Sequence, residues 1–317
     1  MSETQRPERS ADAAEVDVEG ILDGLVQRRP DPADAPAVSG WMLATLGVVH
    51  APVYRSRELR GRFADAGVTE RMATYLAQRA APLGPAGPQL VTATFYGFSP
   101  AVVTAHLPAV WERVTPAEVL TFTLDAMREL LGRLIGDRGP EVEELAALLG
   151  PVADAHPLAG RPLAAAWASV PRTGEPLLDL WLATCVIRES RGDGHVALLV
   201  AEDIGPIESH FVTQGDDPAK RPGLEALRGW TTAELDDAAA QLRQRGLLDA
   251  DGRRTDAARE LRRRIERRTD ELSAEPWAAA GPATVTRVAD LVLDLLPPIL
   301  ASGTLLPPVF ERLAPRR

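Results

Sequence analysis

One stretch decides the fold of this chain: RGWTTAELDDAAAQLRQRGLLDADGRRTDAARELRRRIERRTDEL, residues 228–272. A capping box that begins at Thr231 predicts the start of a helix, because its hydroxyl and the glutamate three residues later can satisfy free backbone amides. The pair Asp251-Gly252 is typical of a tight hairpin turn, and Thr255 can cap the helix that follows. The stretch therefore predicts a helix, a small β-hairpin over residues 249–254 and a second helix.

The second of these helices is rich in arginine. Residues 253–268 hold eight arginines against three acidic residues. A helix, a hairpin and a basic helix in this order are typical of winged helix-turn-helix modules that bind duplex DNA. The side chains placed to contact DNA are Arg243, Gln244, Arg245, Arg253 and Arg254. Residues 221–271 as a whole hold twelve arginines against eleven acidic residues, so the alternative is a winged-helix fold used as a packing unit, whose arginines are solvated or paired at i,i+4 spacing along the helix.

The composition indicates a globular protein of about two domains without cross-links. The chain has 317 residues, of which 45% are apolar and 25% charged, as in ordinary globular domains. Its net charge of −10 argues against a protein whose whole surface binds nucleic acid or an anionic membrane. The single cysteine, Cys185, cannot form an internal disulfide, and the sequence predicts neither a signal peptide nor a membrane segment. We therefore expect a cytoplasmic protein.

The remaining pattern is that of a mostly α protein, because apolar residues recur at helical spacing and alternating strand patterns are nearly absent. Helices are predicted over residues 16–29, 41–54, 70–80, 141–149, 162–169 and 177–189. A proline-rich connector is expected over residues 28–39 and a rigid loop over residues 81–88. A capping box at Thr115 predicts the start of a further long helix.

These elements predict a helical N-terminal body followed by a winged-helix-like module. The expected divisions are a disordered tail over residues 1–15, a ligand-pocket domain over residues 16–220, the winged-helix-like domain over residues 221–302 and a tail over residues 303–317. An amphipathic helix over residues 283–296 would end the second domain. Its apolar face could join two copies of the chain as a homodimer.

The segment RESRGDGH, residues 188–195, carries several chemically active groups close together. Its two glycines predict a turn that ends one buried helix, with Asp193 capping the next. Two arginines, an acid and a histidine in this turn could bind an anionic small molecule or catalyse proton transfer. The alternative is a helix–helix corner whose charges satisfy one another. The candidate ligand-binding residues are Arg188, Arg191, Asp193, His195, His50 and Tyr96.

Histidines supply most of the candidate catalytic groups. His50 lies on an apolar helix, where a hydrogen-bonded core histidine is the ordinary interpretation. If folding brings it to His195, the two could bind a metal or haem, or exchange protons. The catalytic candidates are therefore His50, His195 and Asp193. The sequence lacks metal-binding motifs, phosphate loops and dinucleotide fingerprints, so it predicts no metal site and identifies no cofactor.

Five segments of the chain form a set of motifs. They are RAAPLGP (residues 79–85), ATFYGFSP (93–100), AGRPLAAAWASVP (159–171), RESRGDGHVALLV (188–200) and the block from RGW to PW (228–277). Together they resemble an actinobacterial helix-turn-helix family, over roughly residues 41–300. The resemblance implies an all-helical body and a winged-helix part similar to multiple-antibiotic-resistance-type regulators, but no particular activity. The family more often has histidine where this chain has Ser190, which leaves His195 as the matching position.

These observations lead to one main hypothesis and two alternatives. The main hypothesis is a small-molecule-binding protein with a winged-helix module, acting as a ligand-responsive transcriptional regulator on duplex DNA. The first alternative is an enzyme of specialised metabolism with a His/Arg/Asp pocket around residues 188–195. In it, His50 or His195 would be the general base and Arg191 would orient an anionic substrate. The second alternative is an adaptor that only binds partners.

Overall fold

Helices account for nearly all the regular structure in the computed structural model, which describes residues 16–314. The α-helices in that range are α1 (Val18–Gln27), α2 (Ala35–His50), α3 (Arg57–Asp65), α4 (Arg71–Ala80), α5 (Pro88–Phe95), α6 (Pro100–Trp111), α7 (Pro116–Ile135), α8 (Gly139–Asp154), α9 (Pro162–Ala168), α10 (Pro176–Ala201), α11 (Pro206–Gln214), α12 (Arg221–Arg228), α13 (Thr232–Gln244), α14 (Asp256–Glu271), α15 (Glu275–Leu300) and α16 (Pro307–Leu313). Short 3₁₀ helices follow α2 and α4, at Ala51–Arg55 and Ala81–Leu83. The predicted mostly α class is confirmed, and the expected disordered tail, residues 1–15, lies outside the described residues.

The predicted β-hairpin before α14 is wrong. An isolated antiparallel bridge joins Leu248 and Arg254, and the described part of the chain contains no strand. The turn is closed by Asp249 instead, whose amide donates to the Arg253 carbonyl at 2.9 Å and whose carboxylate accepts from the Arg253 amide at 2.8 Å. Because Thr255 already caps α14, too few residues remain on either side of the turn to form a ladder.

Seven of the sixteen described α-helices begin at a residue whose side chain accepts a hydrogen bond from a backbone amide. Thr115 and Thr231 each form a capping box with the glutamate three residues later, an arrangement in which one cap contributes about 1 kcal/mol. The start of α2 differs from the prediction, because the helix begins at Ala35, inside the expected connector. Asp34 accepts a hydrogen bond from the Ala37 amide at 3.1 Å and caps this earlier start.

Three hydrophobic cores hold the helices together. The largest is built around α10 and α15, which pack with α2, α7 and α8. The second lies between α11, α13, the first half of α14 and the end of α10, and the third joins α4, α5 and α6. Leu198 already belongs to the second core, whereas α15 returns to the first. The cores therefore divide the chain near Leu198 and again after α14, rather than at residue 220.

The C-terminal helices pack inside the fold. The apolar face expected over residues 283–296 to join two copies is buried between α2 and α8, so it offers no free surface for a homodimer. The chain end, expected to be a tail from residue 303, forms α16 instead. This helix packs on α2 and buries Leu313, whose carbonyl accepts a hydrogen bond from the Arg28 guanidinium at 2.5 Å. Apolar side chains in both segments thus bury themselves in the largest core.

One described stretch, Ala35–Asp65, is long and apolar enough to cross a membrane by length and composition alone. Its mean hydropathy is 1.2, and 72% of its most apolar window is buried inside the fold. A core helix of a globular protein meets the same criteria, so the stretch is weak grounds for a membrane span.

Candidate functional site

Residues 188–195 form the middle of α10, so the predicted turn is wrong. The helix runs unbroken through both glycines. A side chain on Gly194 would bring its Cβ within 3.1 Å of Nη1 of Arg161. That guanidinium donates to the carbonyl of Ser190 and, at 2.7 Å, to the carbonyl of Leu272. The glycine is therefore needed for the close approach of another segment, not for a turn.

Asp193 caps a neighbouring helix rather than the next one along the chain. Its carboxylate accepts a hydrogen bond from the Ala164 amide at 3.0 Å, at the start of α9. Burial raises the pKa of Asp193 to about 6, because the ionised form is poorly hydrated there. The carboxylate thus holds α9 against α10, which is a structural role.

His50 makes the contacts of a core histidine. It is 2% exposed, with Nε2 2.9 Å from the Tyr54 hydroxyl and Nδ1 3.5 Å from Sγ of Cys185. The ring stacks on Trp181 with centroids 5.6 Å apart. Burial and then the charge of Arg188 lower the pKa of His50 well below its ordinary value, so the imidazole is neutral.

The structure does not bring His50 and His195 together. His50 contacts Cys185 on α10, and His195 lies ten residues farther along the same helix, about 15 Å away at 1.5 Å per residue. His195 Nδ1 lies 3.1 Å from the Thr269 hydroxyl of α14. No two of the three catalytic candidates share a hydrogen bond, and residues 16–314 contain no cluster of three or more possible metal ligands.

A group of cationic and aromatic side chains lies beside α10. Arg79 and Arg188 share one buried carboxylate, that of Glu189, so the group holds one cation in excess. Burial raises the pKa of Tyr75, but the charges of Arg79, Arg228 and Arg188 outweigh burial and lower it below its ordinary value. A lowered tyrosine pKa reports a positive potential at that hydroxyl.

Arg312 of α16 adds a further positive charge to the same region. Its side chain is exposed, yet desolvation by the surrounding protein and then the charges of Arg188 and Arg191 lower its pKa. We use "cationic cleft" as the name of the region around Tyr54, Tyr75, Arg188 and Arg312, in which the Arg188 guanidinium carbon lies 5.9 Å from the Tyr54 ring centroid and the Tyr54 and Tyr75 rings lie 5.3 Å apart.

The predicted ligand residues Arg191 and His195 are already engaged by α14. The Arg191 guanidinium lies 2.7 Å from Asp270 and 2.9 Å from Glu266, and its side chain is only 8% exposed. His195 contacts Thr269 on the same helix. These residues join α10 to α14, and a ligand in the cationic cleft would lie next to the junction rather than on it.

Tyr96, the remaining ligand candidate, belongs to the second core. Its hydroxyl donates to the Ile204 carbonyl, and its ring packs on that core. Its backbone has a positive φ of 54°, which is uncommon for a residue with a side chain. The aromatic segment before α6 therefore connects the body to the second core.

Sequence reasoning missed Arg79, Glu189, Tyr75 and Arg312 as parts of this site. One signal was present for Arg79: it is a charged residue on the apolar face of a helix, between Ala77 and Ala80, both fully buried. A charge in such a position requires a partner from elsewhere in the fold. No feature of the sequence identifies that partner.

The second core presents a helix-turn-helix face built from α12, α13 and the turn before α14. The last turn of α13 exposes Gln244 and Arg243, whose guanidinium lies 3.2 Å from Asp216. Arg253 at the tip of the next turn is 73% exposed, and Arg254 is half-buried. Arg245 is engaged inside the module, donating to the Asp203 carbonyl at 2.7 Å.

The first half of α13 is acidic. Glu234, Asp236 and Asp237 are all exposed there. Two of them, Glu234 and Asp237, also border a groove of about 500 Å³ floored by Trp230 and Ile207. Carboxylates repel DNA phosphates, so this half of the helix is unsuited to the duplex.

Three of the six arginines of α14 form ion pairs, which agrees in part with the packing alternative. Arg259 pairs with Asp256 and Arg263 with Glu260 along the helix. Arg264 pairs with Glu202 at the end of α10. The opposite stripe of α14 packs on α10 and α2. The outer face of this helix is thus a partly neutralised surface rather than a free basic one.

Comparison with known proteins gives one result. No curated protein and no solved structure matches the chain. The sequence profile of the helix-turn-helix family matches residues 41–306, which include α3 to α15 and nearly the whole fold described above. The chain therefore belongs to the helix-turn-helix family.

Proposed function

We propose that the protein is a cytoplasmic, DNA-binding regulator whose helix-turn-helix module responds to an anionic small molecule in the cationic cleft. Membership of the helix-turn-helix family suggests the DNA-binding role. The ligand-dependent part of the proposal rests on one observation, which is that a single helix, α14, packs in the second core and also binds Arg191, next to the cationic cleft.

The two halves of α14 have different partners. Ala258, Leu261 and Ile265, nearer its start, are buried in the second core, to which α13 also contributes. Farther along, Glu266 and Asp270 hold Arg191, one turn of α10 beyond Arg188 of the cleft. A ligand that draws the Arg188 guanidinium away from its present partners would change the field at Arg191 and shift α14. Movement of α14 is then transmitted to α13 through the core that they share.

The charge of the cleft supports an anionic ligand. Arg79 and Arg188 share the buried carboxylate of Glu189, and Arg312 lies close enough to Arg188 for that charge to lower its pKa. A carboxylate or phosphate would supply the missing negative charge and accept hydrogen bonds from planar guanidiniums. Within the proposal, Arg188 contacts the ligand, Arg191 and His195 transmit the change, and Asp193 and His50 keep the helices in place.

The proposed DNA-binding surface is the last turn of α13 together with the turn before α14. Arg243, Gln244, Arg253 and Arg254 lie there, beyond the acidic half of α13. These arginines can contact phosphates, and Gln244 can reach a base edge.

The test is fluorescence anisotropy of a labelled duplex over a range of salt concentrations. For the wild type, the logarithm of the binding constant should fall linearly with the logarithm of the salt concentration. The variant Arg243→Ala/Arg253→Ala/Arg254→Ala should bind more weakly, with a slope smaller by about three, since each phosphate contact contributes about 0.9. A matched control, Arg57→Ala/Arg113→Ala/Arg287→Ala, removes the same charge from the helical body and should keep the slope. No binding at low salt, or equal slopes for the two variants, would disprove the proposed surface.

A further inference from the structure

We infer that the space between α3, α4 and the 3₁₀ helix after α2 is a second ligand site, which binds a carboxamide or lactam group through Gln78. We name it the Gln78 pocket; Tyr54, Tyr75, Arg60 and Arg71 also border it. This inference does not depend on DNA binding.

Gln78 is the residue that indicates a ligand. Its side chain is 2% exposed, and neither its amide nitrogen nor its amide oxygen has a hydrogen-bond partner among the described residues. Thr74, another polar residue of the pocket, donates to the Glu70 carbonyl at 3.2 Å, so its hydroxyl is satisfied within α4. Leaving a buried amide without partners is costly, which makes such groups rare outside functional sites.

The chemistry of Gln78 determines the class of ligand. A glutamine amide has N–H donors and a carbonyl acceptor, so a group that satisfies it must both accept and donate. A carboxamide or lactam edge does so, because its C=O and N–H lie side by side. An ionised carboxylate only accepts, and it would leave the Gln78 oxygen without a donor.

The size and lining of the pocket agree with this class. Its volume of about 30 Å³ gives room for two water-sized groups, comparable with the C=O and N–H of one amide. The rings of Tyr54 and Tyr75 lie 5.3 Å apart and form an aromatic wall for a planar substituent. Arg60 and Arg71 also line the pocket, and none of the described lining residues is acidic, which excludes an ammonium ligand.

The experiment compares benzamide with benzoate as probes of the wild-type protein. We expect millimolar benzamide to raise the melting temperature and to give saturation-transfer NMR signals through Gln78, whereas any response to benzoate should be the same in the wild type and in Gln78→Leu. Gln78→Leu should abolish both effects of benzamide. It should also melt at a higher temperature than the wild type when no probe is present, because it removes a buried amide without partners. Gln27→Leu, the same change at an exposed position of α1, should leave both effects unchanged.

Three results would overturn the inference. The first is an equal response of the wild type and Gln78→Leu to benzamide. The second is a benzoate response in the wild type that Gln78→Leu abolishes together with the benzamide response, which would contradict the need for a donor. The third is the absence of any benzamide response in the wild type together with a crystal structure in which ordered waters satisfy Gln78. Since no DNA is present, none of these results bears on the proposed regulatory function.

Discussion

Arg191 illustrates how one side chain can hold two helices together. Its guanidinium is nearly buried between Glu266 and Asp270. Replacing it with methionine keeps most of the apolar stem but removes the shared cationic partner of two carboxylates. We expect Arg191→Met to lower the free energy of unfolding by about 2 kcal/mol, as measured by urea denaturation at pH 7.

The control for this prediction lies on α14 itself. Arg263 pairs with Glu260, but the two side chains are 58% and 55% exposed. Solvent screens such a pair, so Arg263→Met should change the stability by about 0.5 kcal/mol or less. Equal losses in the two variants would show that Arg191 is not part of a buried junction.

His156 predicts a pH dependence of stability. It is 3% exposed, and neither ring nitrogen has a partner in the described part of the chain. Burial and then the charge of Arg161 lower its pKa to about 4. Because this is below the unfolded value of about 6.5, the contribution of His156 to stability is full above pH 6.5 and is lost as the pH falls towards 4.

The variant His156→Leu should therefore reduce the acid-induced loss of stability. Between pH 7 and pH 5 the wild type should lose about 2 kcal/mol more than the variant. Denaturation curves at the two pH values measure this difference. If the free energy of unfolding fell by the same amount in both proteins between pH 7 and pH 5, the assignment of a buried, neutral imidazole at this position would be contradicted.

At the residue scale, the sequence identifies groups more readily than their partners. It pointed to Arg188, Arg191 and His195 as chemically important, and each makes a polar contact in the structure. Arg188 pairs with its neighbour Glu189, whereas Glu266 and Thr269, the partners of Arg191 and His195, are about 75 residues away along the chain. Such pairing depends on how α10 and α14 cross, which local patterns do not encode.

Two glycines that lie two residues apart in α10 allow a direct test of whether residues 188–195 form a continuous helix. A side chain on Gly192 would lie 3.6 Å from its nearest neighbour, in Glu189, whereas one on Gly194 would lie 3.1 Å from Arg161. We expect Gly192→Ala to raise the free energy of unfolding by about 0.5 kcal/mol through helix propensity. Gly194→Ala should lower it by about 1 kcal/mol, because Arg161 must move. Thermal melts of the two variants measure both changes.

The same two variants distinguish a helix from a turn. If residues 188–195 formed a turn with positive φ at the glycines, alanine would be strained at both positions and both variants would lose stability. Stability changes of opposite sign in Gly192→Ala and Gly194→Ala are expected only if the helix is continuous and Arg161 contacts it at Gly194.

At the element scale, local chemistry explains what could be predicted. The caps at Thr115, Thr231 and Thr255 depend on residues within one turn, and the structure confirms them. The glycines of α10 were misleading, because a glycine needed for close packing and one needed for a turn look the same in sequence. The predicted hairpin is wrong for a different reason. Residues typical of a tight turn do not require that the segments on either side pair as β-strands.

On the scale of the whole molecule, α14 is the element that connects the parts. It packs in the second core at one end and binds Arg191 at the other. The sequence predicted two parts but placed the boundary at residue 220. It could not show that the end of α10 enters the second core, or that α15 returns to the first, because both facts concern the order in which helices pack.

Hydrogen exchange in Arg191→Lys tests the coupling through α14 most directly. This variant keeps the charge but loses the planar fork that contacts Asp270 and Glu266. Amides of α14 and α13 should exchange several-fold faster than in the wild type, while those of α7, in the first core, keep their rates. Faster exchange confined to α10, with wild-type rates throughout α13, would contradict the coupling.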